Sequence, residues 1–455
     1  MEQKRLSWGT RIGFGIGDIG GNALFTIMAF WLMNYLTDTV GLQAALAGIA
    51  LWVGKIWDAV TDPLMGYISD HTRTRWGRRR PYIFIGGILA LLAMLIMFNN
   101  PHLNPDEQAT MLFVWAMLAY CFLCLAFTIF NIPYSALTPD LTDDFKERTT
   151  LGGVRMFFAI IGTFLAAGAF LPVVAFFTPA GTPDKSQGYL WAGLIYGIII
   201  MAVSIITSAV VKEKKWDAKA ISGKHELFKD YLSIFKNKPY LLILFPYALN
   251  MIGTTIISQS MQYYFKYIFH AEKDTTISLV ILLGTTMLFI PIWTPMVKKI
   301  GKNISYALGL FIIALVCGVV FFCGHILGKG FVLVLMGIAG FGLAATYVAP
   351  WAMIPDTIEY DYVKTKRRKE GIYYGMWTFF SKTGQALAAL IGGLVLQITN
   401  YVANALVQTP EAEFGLRLLL GPIPALALAL AGVIVLFYPI DEKRYKEILN
   451  QSQPS

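Results

Sequence analysis

The chain has 455 residues, of which 56% are hydrophobic and only 14% charged, and its formal net charge is +9. A soluble domain carries about 25% charged residues, so the composition excludes a soluble enzyme or binding module and fits a polytopic membrane protein. The positive balance alone would suit a nucleic-acid partner, but no basic patch is interleaved with aromatics on a soluble face. Basic loops on one side of a bilayer give the same sum.

Each crossing of a bilayer needs about 20 apolar residues. Such stretches are predicted over 10–36, 44–70, 81–98, 109–137, 150–175 and 189–212. A lysine-rich polar connector follows, and six more stretches are predicted over 241–269, 276–296, 303–323, 329–354, 372–399 and 415–439. The expected plan is an all-α membrane protein of twelve transmembrane helices, with one six-helix bundle over 1–212, a cytoplasmic connector over 213–240, a second bundle over 241–440 and a cytoplasmic tail over 441–455. Met1 to Thr10 lacks the apolar core of a cleaved signal peptide, so the first helix is the expected insertion signal. Lysine and arginine crowd Lys4 to Arg11, Arg73 to Arg80, Lys146 to Arg148, the connector, Lys298 to Lys302, Lys364 to Lys369 and Lys443 to Lys446. With twelve crossings these all fall on one side, which the positive-inside rule makes cytoplasmic. Both termini are therefore expected inside, with the protein in the cell (inner) membrane.

In the first helix Asp18 stands among Gly13, Gly15, Gly17, Gly20 and Gly21. No strand precedes these glycines, so they are not a nucleotide loop; in a membrane helix glycine permits close contact or bending. The second helix carries Lys55, Asp58 and Asp62 at i, i+3 and i+7, on one face. Thr61 adds a hydroxyl beside Asp62. Charges at membrane depth are costly and mark an ion or substrate path or a buried pair. Two carboxylates one turn apart resist ionising together unless a proton, a metal ion or Lys55 sits with them. A structural Lys55–Asp58 pair is the plainer reading, and it leaves Asp62 unexplained.

Cys121 and Cys124 in the fourth helix, like Cys317 and Cys323, lie in apolar spans and are expected to be packing residues. Thr128 and Asn131 precede Pro133 in the same helix. The run Gly153, Phe157, Phe158, Gly162, Leu165, Ala166, Ala167 returns as Gly375, Phe379, Phe380, Gly384, Leu387, Ala388, Ala389. Upstream, Pro133 to Asp140 is echoed by Pro350 to Asp356. Two parallel six-helix halves around a mid-membrane site is the plan such a repeat implies. Arg155 aligns with Trp377 and Lys382 with Ile160, so each half adds one buried cation that its twin lacks. Asp140, Arg148, Asp356 and Glu359 lie at inner helix ends and are read either as an inner gate of ion pairs or as solvated loop charge. The five histidines have no metal-ligand spacing, and no Walker loop offers ATP.

The run Trp57-Asp58-Ala59-Val60-Thr61-Asp62-Pro63, followed by Gly66, Asp70, Gly77 and the arginines 78–80, resembles the glycoside–pentoside–hexuronide:cation symporters of the major facilitator superfamily. The resemblance extends over most of the chain and implies the major facilitator fold and cation-coupled import of a sugar or glycoside-like solute. It implies a cation site of Asp58, Asp62, Thr61 and Thr128, and a substrate site of Asp18, Asn131, Arg155, Thr378 and Lys382. Asn131 stands where the family has an acidic residue joining the two sites, and Thr61 where it has asparagine. Thr61 is also similar to the sodium-dependent lysolipid carriers, which makes a lysolipid symporter the second reading. A non-transporting membrane receptor or structural protein is the third. No cofactor and no catalytic residue is expected. The partners are a small solute, a coupling cation and the lipid bilayer, with the protein a monomer. The expected ion is a proton, because Asn131 takes one carboxylate from the oxygen cage that sodium needs; sodium, held by Asp58 and Asp62 as a metal site, is the alternative.

Overall fold

The computed structural model describes residues 6–137, 141, 145–182, 184–211, 213, 234–365, 370–441, 444 and 447, and the side chains of 145, 146, 148, 149, 370 and 371 are outside that description. Among the described residues twelve helices are long and apolar enough to cross a membrane. They are α1 (Trp8–Phe30), α2 (Ala44–His71), α3 (Arg80–Phe98), α4 (Ala109–Ser135), α5 (Phe145–Phe177), α6 (Ser186–Val210), α7 (Lys238–Ile268), α8 (Asp274–Ile300), α9 (Lys302–Leu327), α10 (Lys329–Thr365), α11 (Glu370–Ile398) and α12 (Pro410–Leu436). No strand occurs among the described residues.

The ends of these helices follow from local chemistry. Ser7, Asn237 and Thr409 each accept a backbone N–H three residues ahead, at 3.2 Å, which caps α1, α7 and α12. Proline sits in the first turn of α3, α7 and α12, where its missing N–H costs nothing. Three helical stretches widen to a π turn, at Tyr35–Thr39 beyond α1, Tyr264–Ile268 in α7 and Val320–Gly324 in α9. The helix α10 runs eleven residues past its predicted end at 354. Pro350 and Pro355 lie inside it without breaking it, because neighbouring helices and side chains can take up the freed carbonyls in a membrane bundle.

The chain forms two compact units, Met1–Ile221 and Ser222–Ser455. Within the first, α1 packs on α5 and α6, α2 on α4, and α3 on α4 and α6. Within the second, α7 packs on α11 and α12, α8 on α10, and α9 on α10 and α12. The second unit thus repeats the packing of the first helix for helix, which is the structural counterpart of the sequence repeat. Large apolar side chains such as Leu315, Val334 and Leu426 face outward, a surface that suits hydrocarbon.

Where α2 ends and α3 begins, the first unit is tied by charge. Asp70 at the end of α2 accepts from Arg79 Nη2 at 2.8 Å, and Arg79 Nη1 donates to the Ala136 carbonyl. The Glu213 carboxylate accepts the backbone N–H groups of Arg78, Arg79 and Arg80 at 2.7, 2.9 and 2.8 Å. It caps the start of α3 at its positive end. Gly77, at φ +114°, lies against that carboxylate where a Cβ would not fit. Arg11 and Glu147 make a buried two-point pair between α1 and α5, at 2.7 and 2.9 Å. In the second unit Lys302 repeats the role of Arg79: its ammonium donates to the Ala352 carbonyl at 2.9 Å and to Asp356 at 2.6 Å.

Candidate functional site

Lys55, Asp58, Thr61 and Asp62 are all buried, Asp58 completely. The face of α2 that carries them packs on α4. Gly54 makes that approach possible, since a Cβ there would overlap the Tyr120 ring. Thr128 of α4, itself fully buried, places its hydroxyl 2.9 Å from Asp58 Oδ1 and 2.9 Å from Asp62 Oδ1. A hydroxyl has a single proton to donate. If it bonds one carboxylate, its lone pair faces the oxygen of the other. That second contact becomes attractive when the carboxyl carries a proton or a cation lies between the oxygens.

Lys55 Nζ is 3.8 Å from Asp58 Oδ2, beyond hydrogen-bond length, and lies 5.7 Å from the centroid of the Phe25 ring. It balances charge at the site without holding Asp58 in a short pair. The Thr61 hydroxyl donates to the Asp58 carbonyl at 3.2 Å and not to Asp62. This is the ordinary back-bonding of threonine in a helix.

A polar stripe on α4 leads away from this cluster. Thr128, Asn131 and Tyr134 stand at i, i+3 and i+6. Asn131 Oδ1 faces Gly21 of α1, 3.4 Å from where a Cβ would stand. The Tyr134 hydroxyl lies 2.7 Å from Asp18 Oδ2 and 2.9 Å from the Phe14 carbonyl, so its single proton serves one of the two at a time. Gly17 leaves the space that the Tyr134 ring occupies. Arg155 of α5 closes on the same carboxylate, with Nε 2.7 Å from Asp18 Oδ2 and Nη2 3.2 Å from Oδ1. Its guanidinium lies over the Tyr134 and Phe14 rings, at 4.8 and 5.5 Å. Asp18 and Arg155 are thus brought together as a direct pair. Tyr134, which sequence reasoning did not single out, completes the group.

In the second unit Tyr374, Thr378 and Lys382 share one stripe of α11, at i, i+4 and i+8. Thr378 and Tyr374 are exposed and Lys382 is half-buried. Trp351 of α10, half of whose surface is exposed, stacks near-parallel on Tyr374 at 6.5 Å and meets Trp377 at 6.1 Å. Trp377 in turn stacks on Tyr247 at 3.9 Å. This aromatic group beside Thr378 was also missed; Trp351 holds the place of Tyr134 in the repeat, which was the available clue.

Of the four residues read as a gate or as loop charge, Asp356 and Glu359 are described with their side chains. Asp140 and the Arg148 side chain lie outside the described residues. Asp356 is buried and pairs within its own unit with Lys302, at 2.6 Å. Glu359 is half-buried three residues further along α10.

Asp58, Asp62 and Thr128 thus bring hard oxygen atoms together, the donor type that small hard cations prefer. Replacing Thr128 by valine keeps the shape and removes the shared hydroxyl. Because the contact that only the loaded site makes is one hydrogen bond, worth about 0.5–1.5 kcal/mol net, the ion affinity of the pair is expected to fall about two- to tenfold. The ion dependence of uptake by the purified variant in vesicles measures this.

Residues 13–442 match the family model described as MFS/sugar transport protein. The glucuronide carrier protein homolog of Escherichia coli (strain K12) is 29% identical, over 98% of this chain and 95% of its own length. The isoprimeverose transporter of Lactiplantibacillus pentosus is 28% identical, over 100% of this chain and 93% of its own. Among solved structures, the partially occluded inward-open xylose transporter XylE from E. coli matches with a TM-score of 0.65 at 14% identity, over 95% of this chain and 98% of that one. The fold is that of the major facilitator transporters, and the chain belongs to the MFS/sugar transport protein family, whose members are multi-pass membrane transporters and not enzymes.

Proposed function

We propose that the protein is a secondary active symporter that imports a sugar or glycoside-like solute by alternating access, driven by a proton bound at Asp58 and Asp62. The observation that carries this reading is the single Thr128 hydroxyl set 2.9 Å from an oxygen of each buried carboxylate. That arrangement has a place for one proton, and it lies within a membrane-spanning helix, where charges are costly and mark an ion or substrate path or a buried pair. The carbohydrate cargo is supported by the names of the glucuronide and isoprimeverose relatives. In this reading Asp18, Asn131 and Arg155 contribute solute contacts from the first unit, and Thr378 and Lys382 from the second. A carboxylate accepts two charge-assisted bonds from neighbouring sugar hydroxyls, and a cation pairs with an acidic substituent. The α4 stripe from Thr128 to Tyr134 joins the ion site to Asp18, so the state of one bears on the other. Coupling follows when the switch is unfavourable with only one of the two bound. Such a symporter needs no cofactor; it acts as a monomer in the cell (inner) membrane, with the basic connectors and both termini cytoplasmic. The domain limits are those of the repeat: a bundle over 1–212, a connector over 213–240, a bundle over 241–440 and a tail over 441–455.

The test is uptake into proteoliposomes from a panel of glycosides, uronides and lysolipids, at fixed pH, with sodium replaced by choline. The expected result is carbohydrate uptake that persists in choline and collapses when a protonophore is added. Strict sodium dependence without that collapse reverses the choice of ion. Uptake of lysolipids alone reverses the cargo, and no uptake of any kind leaves a receptor or structural role.

A further inference from the structure

Neither ion coupling nor solute binding uses the apolar cleft on the second unit. It has a volume of about 380 Å³ and lies where α7, α11 and α12 meet. Phe245, Ala248, Leu249 and Ile252 of α7 form one wall, with Phe380 and Leu387 of α11 opposite. Thr383 also lines it, but its hydroxyl is spent on the Phe379 carbonyl at 2.9 Å. A sugar would find nothing there for its hydroxyls and would lose their hydration. A hydrocarbon chain would lose nothing.

The cleft also has a depth and a charged end. A helix rises about 1.5 Å per residue, so Phe245 to Ile252 lie roughly 10 to 20 Å into the membrane from Lys238. One leaflet of hydrocarbon is about 15 Å thick, half of a core of about 30 Å, so the cleft sits at acyl-chain depth. At the start of α7, Lys236 and Lys238 are both exposed, and Lys238 stands seven residues ahead of Phe245 on the same helix face. The Phe235 ring beside them lies 6.5 Å from that of Phe380, which lies 5.6 Å from that of Phe245. An apolar edge therefore runs unbroken from the lysine pair to the cleft.

We propose that this cleft seats an anionic phospholipid of the surrounding bilayer, with one acyl chain in the cleft and the phosphate on Lys236 and Lys238. Charge complementarity selects the headgroup, as basic pockets at the membrane surface do, and the apolar walls select the chain. The lipid lies against the face of α11 that carries Phe380, Thr383 and Leu387. The seat stands or falls independently of the symporter reading, because its test counts bound lipid and not transport.

The full chain is purified, delipidated and offered phosphatidylglycerol or phosphatidylcholine with the same acyl chains, and bound lipid is counted by native mass spectrometry. Wild type is expected to retain phosphatidylglycerol about thirtyfold better than phosphatidylcholine, the size of effect two surface lysines supply. The double variant Lys236→Gln, Lys238→Gln is expected to hold the two lipids equally. Leu249→Trp, which fills the cleft, is expected to retain neither. Equal retention of both lipids by wild type overturns the proposal, as does an undiminished preference in the lysine variant or full retention by a folded Leu249→Trp. The lysines are exposed and their loss leaves the core intact, so that variant decides the matter even if the tryptophan destabilises the bundle.

Discussion

Replacing Asp58 or Asp62 by asparagine is expected to abolish uphill accumulation of solute, with the internal concentration no longer exceeding the external one. Both carboxylates are buried on one face of α2, and both place Oδ1 2.9 Å from the same Thr128 hydroxyl. Asparagine keeps the size and removes the charge. An amide can satisfy the hydroxyl but cannot take up and release a proton, so the step that ties solute movement to the ion gradient is lost. Downhill exchange is expected to survive, since Asp18 and Arg155 are separate from the pair. The measurement is solute accumulation against counterflow in the same vesicles. Concentrative uptake by either variant at the wild-type level refutes the assignment. Lys55 sharpens the test: at 3.8 Å from Asp58 Oδ2 it provides charge balance, and Asp58→Asn leaves that buried cation with one fewer counter-charge. The Asp58 variant is therefore expected to be the less stable of the two.

How far the sequence revealed this site depended on whether the partners lay on one helix. The α2 face was legible because Lys55, Asp58 and Asp62 follow the helical repeat in an otherwise apolar span. The twelve helices were legible for the same local reason, as runs of apolar residues broken by basic loops. Partners from distant segments were a different matter. Asp18 and Arg155 are 137 residues apart, and only side-chain geometry shows that they come within 2.7 Å. Tyr134 gave no cue of its own, because an aromatic after a proline in an apolar helix is most often packing. Its hydroxyl matters only because Gly17 and Phe14 of another helix sit opposite. Lys302 and Asp356 were separated in the same way, 54 residues apart in the chain. The partner of the Thr61 hydroxyl was not legible either: its proton goes to the Asp58 carbonyl three residues back.

The second large effect is expected at Arg155. Replacing it by leucine leaves Asp18 buried beside Tyr134 with no cation, and the loss of one partner of a buried pair costs about 3–5 kcal/mol. The single variant is therefore expected to melt at a clearly lower temperature and to lose solute uptake. Asp18→Asn alone leaves the guanidinium over the rings of Phe14 and Tyr134, 24% exposed, and is expected to cost less stability because that cation reaches water. The double variant Asp18→Asn, Arg155→Leu removes both charges. If the two side chains act only on each other, it recovers stability and transport together. If they also hold the solute, as proposed, stability returns and uptake does not, since the hydroxyl-binding carboxylate and the cation are both gone. The decisive comparison is between the melting temperature and the solute affinity of the same purified double variant. Recovery of the first without the second assigns the pair to solute binding, and recovery of both reduces it to a structural tie between α1 and α5.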